Sequence, residues 1–357
     1  YGFFCMATGA MLFVPAALIR TYWVFLIGLF SIGTGLTILQ AAANPYITIV
    51  GPIESAAKRI SIMGICNKFA GIIAPLIFAA IILKSSDSVI FEQLNVGAFS
   101  EAEKDVVLDG LIRRVIWPYS ILSIFLFAVG IFIRYSVLPE INQEEENKEV
   151  ETDDGKSHTS ILQFPYLLMG AVAMFLHVGT QVIAIDTIIG YANSMYMDLL
   201  EAKVFPSYTL TATICGYIMG IILIPKYLSQ KRAFQICCTL GLIFSLGVVL
   251  SNMQVSFLGH DANFSIWFLV LLGFPNSLIY AGIWPLSIRG LGRFTKIGSS
   301  LLIMGLCGNA ILPLIYGHFA DLFSVKQAYW VLIPCYLYLM FFSLYGHKIE
   351  SWSFKKK

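Results

Sequence analysis

Charge is what this sequence lacks. Only 12% of its 357 residues are Asp, Glu, Lys or Arg, where soluble domains carry about a quarter. The net charge of +2 offers nucleic acid no basic face. Cysteine is sparse: Cys5, Cys66, Cys215, Cys237, Cys238, Cys307 and Cys335 all lie in apolar segments. An odd set without paired loop positions excludes a disulfide framework and reads as small packing residues. No metal-ligand spacing occurs, and no nucleophile–base pair falls at one depth, so the chain is expected to be no enzyme and to hold no catalytic residue, metal or cofactor. No signal peptide is visible; residue 1 is Tyr, and the natural start is expected upstream. What is present is apolar: 58% of residues, with a mean hydropathy of +0.79. That composition predicts an all-α polytopic membrane protein.

Apolar runs of about 20 residues between charged breaks predict membrane helices. They fall near 1–19, 22–49, 60–83, 113–136, 164–191, 206–225, 233–253, 264–288, 297–319 and 327–346. Between the fourth and fifth lies "LPEINQEEENKEVETDDGKSHTS", which carries eight of the chain's 21 carboxylates. Such a run cannot bury a core and reads as a solvated linker. The expected organisation is an N-terminal bundle over 1–137, an acidic linker over 138–163 and a C-terminal six-helix bundle over 164–357. A second polar stretch, near 84–112, contains "SEAEKDVVLDG" and predicts a short amphipathic helix. With the linker and C-terminus cytoplasmic, fifteen Lys and Arg face inward and seven outward, which the positive-inside rule favours.

The chain also repeats itself. "PYITIVGP" precedes "RISIMGICNKFAGIIAPLI", and about 240 residues later "PLSIRGLG" precedes "IGSSLLIMGLCGNAILPLI". Pro45 to Cys66 spans 21 residues and Pro285 to Cys307 spans 22. Aligning the copies pairs the second and third spans with the eighth and ninth, which leaves the first half two helices short of the second. The parent plan is then six plus six with a long linker, the parallel-repeat plan of the major facilitator superfamily, with ten of twelve helices present. Such halves place a binding site near mid-depth.

Helical rise puts a set of polar residues there. Gln40 lies roughly 16 Å, Asn67 roughly 12 Å, Tyr280 roughly 14 Å and Asn276 roughly 20 Å from the cytoplasmic ends, and His177 and Gln181 roughly 15 and 21 Å. Gln40/Asn44, His177/Gln181 and Asn276/Tyr280 are i, i+4 pairs, each sharing a helix face. Amides, a phenol and an imidazole bond hydroxyls without fixed charge, and Trp284 can stack on a pyranose. The inventory fits a sugar; an anionic ligand would call for Arg or protonated His. The same residues can also bond only to neighbouring helices. Pro45 removes a backbone bond and predicts a kink, while Gly216 and Gly220 read as close helix packing. Two charges fall within spans: Lys68, about 13 Å deep, and Asp186, about 28 Å from Leu167. Both are coupling or gating candidates, with snorkelling and interfacial placement as the alternatives.

"GLTILQAAANPYITIVGP" with "NKFAGIIAP" resembles the fucose/glucose–galactose family of major facilitator sugar symporters, and "HVGTQ", "NSLIYAGIWPLSIRGLGRFTKIGSS" and "PLIYGHFAD" extend the likeness over nearly the whole chain. The resemblance implies cation-coupled hexose uptake by alternating access, in an inner-membrane protein whose partners are a small sugar and the bilayer, expected as a monomer. It assigns Gln40, Asn67, Gln181 and Tyr280 to the sugar site. Gln40 stands where the fucose symporter has a glutamate and cannot titrate, so the coupling ion, H⁺ or Na⁺, acts elsewhere. Lys68 replaces a small polar residue and points to altered substrate choice, toward an amino sugar. A facilitator of another polar solute and a non-transporting sugar-sensing receptor stay open at this stage.

Overall fold

The computed structural model describes residues 1–50, 52, 55–82, 100–136 and 160–352. Most of the acidic linker, and the polar stretch before residue 100, lie outside them. The described chain forms two compact units. The first comprises Tyr1–Ala43 with Gly71–Ile141, and the second comprises Asn44–Ala70 with Asn142–Lys357. The division passes through two helices, so Asn44–Ala70 is grouped with the second unit rather than with the expected 1–137 bundle.

In the first unit, α1 (Gly2–Ile19) packs on α5 (Ile116–Tyr135), and α2 (Tyr22–Ile49) lies beside α1. Small residues set the spacing. A Cβ on Gly9 would lie 2.7 Å from the Gly28 carbonyl oxygen, and Ser123 donates to the Ala7 carbonyl at 2.8 Å. The helix α2 runs through position 45 to Ile49 without a break in its assignment. The expected amphipathic helix is α4 (Glu101–Arg113). Ser100 accepts from the Glu103 N–H while the Glu103 carboxylate accepts from the Ser100 N–H, the reciprocal cap encoded by S-x-x-E. Arg20, which ends α1 in the left-handed region (φ 54), reaches Asp105 at 3.2 Å and Asp109 at 3.1 Å.

The second unit carries the end of α2 and the first half of α3 (Ala56–Ile82), then α6 (Pro165–Asp186), α7 (Ile188–Ser194), α8 (Phe205–Leu223) and α9 (Gln230–Leu250). A two-stranded antiparallel hairpin follows, β1 (Gln254–Phe257) with β2 (His260–Asn263), turning through Leu258 and Gly259, both at positive φ. Next come α10 (Phe264–Leu271), α11 (Gly273–Ile288), α12 (Thr295–Met304), α13 (Gly308–Leu322) and α14 (Leu332–Leu344). Almost every residue of α11 is buried, and it packs against α6, α8 and α9.

Among the described residues nine helical segments are long and apolar enough to cross a membrane. The tenth expected span is α3, whose 27 residues rise about 40 Å, more than the bilayer core. Four spans differ from the sequence expectation. The run 164–191 is two helices parted at Thr187, and the run 327–346 opens through a 3₁₀ turn at Tyr329–Val331. The run 264–288 is two helices meeting at Leu272, and the run 297–319 is broken by a 3₁₀ turn at Gly305–Cys307. The first copy of the repeat stays one helix through the matching Cys66, so the two copies differ in geometry there. All seven cysteines are free thiols, as their placement predicts. Gly216 and Gly220 do serve close packing. They lie against Ser277, the Phe274 carbonyl and Leu278 of α11.

Candidate functional site

The site grows from one face of α11. Asn276, Tyr280 and Trp284 recur at intervals of four, so all three lie along one side of the helix. The rings of Tyr280 and Trp284 stack at 6.0 Å with 21° between planes. Opposite them on α6 stands His177, its ring centroid 6.4 Å from that of Tyr280. On the third side, the Tyr336 hydroxyl of α14 donates to Asn276 Oδ1 at 2.8 Å, and Thr180 of α6 also reaches Tyr336. That bond fixes the amide. Its oxygen is used and its Nδ2 is left free to donate.

His177, Asn276 and Trp284 are 0%, 1% and 0% exposed. Well over nine in ten buried polar groups in folded proteins find a partner. Yet of the six buried side-chain polar atoms without a hydrogen bond among the described residues, four are here: both nitrogens of His177, Nδ2 of Asn276 and Nε1 of Trp284. Leaving one such group unmet costs about 1–3 kcal/mol. Four in one cluster make this the candidate site.

The helix α3 completes this side of the second unit. Gly64 lies directly on the ring of Tyr217 from α8, and a Cβ there would come within 2.8 Å of Tyr217 Cε1. Tyr217 stands on α8, which packs against the α11 that carries Tyr280. Asn67 and Lys68 follow Gly64 by three and four residues and therefore share its face. Asn67 is exposed and Lys68 half-buried. Lys68 interacts electrostatically with both His177 and Asp186. Helical rise places Lys68 and Asp186 roughly 15 Å apart in depth. Gln181 is half-buried, Asp186 is exposed at the end of α6, and Asn44 is buried and engaged with a neighbour. Gln40 is half-buried in the first unit.

Sequence reasoning named His177, Asn276, Tyr280 and Trp284 as candidates, and the structure brings those four together. It missed Tyr217, Tyr336 and Gly64. A tyrosine in an aromatic-rich span carries no mark that separates a polar anchor from packing, and Gly64 announces a close approach only when its partner is known. Gly64→Leu is expected to lower transport more than tenfold, because overpacking costs about 1–3 kcal/mol and here displaces Tyr217. Uptake measured in Gly64→Leu and in Gly64→Leu with Tyr217→Ala checks this. Partial recovery in the pair is the expected outcome, and wild-type uptake in Gly64→Leu alone would refute the contact.

No family model matches the chain. The glucose/galactose transporter of Brucella abortus (strain 9-941) is 30% identical over 349 residues, covering 97% of this chain and 77% of that protein. The L-fucose-proton symporter of Escherichia coli (strain K12) is 27% identical over 320 residues, covering 90% and 71%. Among solved structures, the outward conformation of the major facilitator superfamily transporter FucP superposes with a TM-score of 0.77 at 24% identity, over 97% of this chain and 81% of that one. An alanine variant of the Escherichia coli fucose:proton symporter gives 0.78, over 97% and 82%. The fold is therefore that of the major facilitator superfamily, and the chain belongs to its glucose/galactose transporter family of multi-pass membrane sugar carriers.

Proposed function

We propose that the protein takes up a hexose of the glucose/galactose kind, coupled to entry of a proton, by alternating access of two helical bundles joined by the acidic linker. The observation that carries this reading is the cluster of unmet donors on His177, Asn276 and Trp284 in a chain 30% identical to a glucose/galactose transporter. Donors and acceptors without a fixed partner suit a ring of hydroxyls, each of which can do both. Asn67, Gln181, Asn276, Tyr280 and His177 are assigned to the hydroxyls, Trp284 to the apolar face of the pyranose, and Asn44 to the support of this wall. Gln40 is assigned on the family resemblance. A proton is favoured as the coupling ion by the L-fucose-proton relative. The protein acts as a monomer in the inner membrane, with the linker and C-terminus cytoplasmic, an orientation supported by fifteen basic residues inside against seven outside.

Cells making the full-length protein are expected to accumulate labelled galactose or glucose against a gradient, and to lose that gradient when a protonophore is added. Sugar that equilibrates but never accumulates would leave a facilitator and remove the symport. Binding without counterflow in liposomes would remove transport altogether.

A further inference from the structure

We propose that Lys68 fits this site to a sugar bearing a carboxylate, so that the preferred substrate is a hexuronate. The proposal rests on the reading that the His177–Asn276–Trp284 cluster receives the transported sugar.

The position of the ammonium follows from one contact and from two electrostatic influences. Gly64 is seated on Tyr217, and Lys68 is one helical turn further along the same face of α3. Lys68 acts electrostatically on both His177 and Asp186. Those two are nine residues apart on α6, about 13.5 Å along the axis. A charge felt at both ends lies alongside the stretch between them, level with Gln181. Among the described residues Lys68 makes no hydrogen bond and no ion pair within 4.0 Å, so Asp186, exposed at the helix end, influences it without neutralising it by contact.

The neighbouring groups lean the same way. Trp284 Nε1 and Asn276 Nδ2 can only donate, and one nitrogen of a neutral His177 donates while the other accepts. With Lys68 added, these four side chains present mainly donors, while the amides of Asn67 and Gln181 offer both donors and acceptors. A charged group inside a membrane protein is costly and is retained where it has something to meet. A neutral hydroxyl answers an ammonium with one modest hydrogen bond. A carboxylate answers it with opposite charge and several lone pairs, and charge-assisted bonds are roughly twice as strong. An amino sugar, which the lysine suggested from sequence alone, would bring a second ammonium toward the first.

The test compares inhibition of labelled galactose uptake by galactose, galacturonate and glucosamine in the full-length transporter. Galacturonate is expected to inhibit at a concentration at least tenfold lower than galactose, Lys68→Gln to erase that advantage, and Lys68→Arg to keep it. Galacturonate no better than galactose would overturn the proposal while leaving hexose transport intact. So would glucosamine as the best inhibitor. A Lys68→Gln protein that still exchanges sugar but cannot accumulate it, with the inhibitor order unchanged, would make Lys68 a coupling residue and overturn the proposal. Binding to the purified protein, read by quenching of tryptophan fluorescence, gives the same order without transport. Galacturonate binding no tighter than galactose in that assay would overturn the proposal.

Discussion

Gly308→Leu is expected to leave little folded protein in the membrane, whereas Gly317→Leu on the same helix is expected to be tolerated. The two glycines share α13 but not their surroundings. A Cβ at Gly308 would press on the Phe175 carbonyl oxygen and lie 2.7 Å from its carbon and 3.1 Å from Phe175 Cα. All of these are backbone atoms of α6, so no rotamer change can make room. The only relief is to push α13 away from α6, which also strips the contact that Gly179 makes with the Gly308 carbonyl and Leu312. Extra methylenes in a core that can adjust cost about 1–3 kcal/mol, and a clash with rigid backbone lies at or above the top of that range. At Gly317 nothing lies within 4 Å of the same added atom. Membrane-fraction yield and the thermal melt of fluorescent-protein fusions distinguish the two. Equal yield and melting for both variants would show that α6 and α13 do not approach as closely as the geometry requires.

The same closeness explains what could and could not be read from sequence. Apolar runs, charged breaks and the S-x-x-E cap are local signals, so the spans and α4 were legible within a few residues. The face shared by Asn276, Tyr280 and Trp284 was legible because helical periodicity needs no partner. The break at Leu272 and the 3₁₀ turn at Gly305–Cys307 were not, because apolar composition continues through both. The hairpin at Gln254–Asn263 was also unseen. Its Leu-Gly turn lacks the Asn-Gly or Asp-Gly signature that marks the favoured two-residue turns. The partners Tyr217 and Tyr336 are set by which helix faces which, a tertiary property that a single sequence carries only implicitly.

Asn276→Ala is expected to lower transport by roughly 5- to 150-fold, the range that corresponds to losing about 1–3 kcal/mol of hydrogen bonding to the sugar. Loss of transport alone would not identify a substrate contact, because the substitution also takes from the buried Tyr336 hydroxyl the Asn276 Oδ1 acceptor it bonds at 2.8 Å. Tyr336→Phe does the converse and strands the amide oxygen. Removing one partner of a buried bond costs the desolvation of the other, whereas removing both is often close to neutral. The double variant, Asn276→Ala with Tyr336→Phe, therefore separates the two roles. If Asn276 only ties α11 to α14, the double variant regains both stability and uptake, and the coupling is of the size measured for interhelical bonds in membranes, about 0.6 kcal/mol on average. If Asn276 Nδ2 donates to the sugar, stability returns while uptake stays low, since no rearrangement of α14 restores the missing donor. The second outcome is expected. Thermal melts in detergent alongside initial rates of labelled-sugar uptake read both quantities on the same four proteins, and recovery of uptake in the double variant would return Asn276 to a purely structural role.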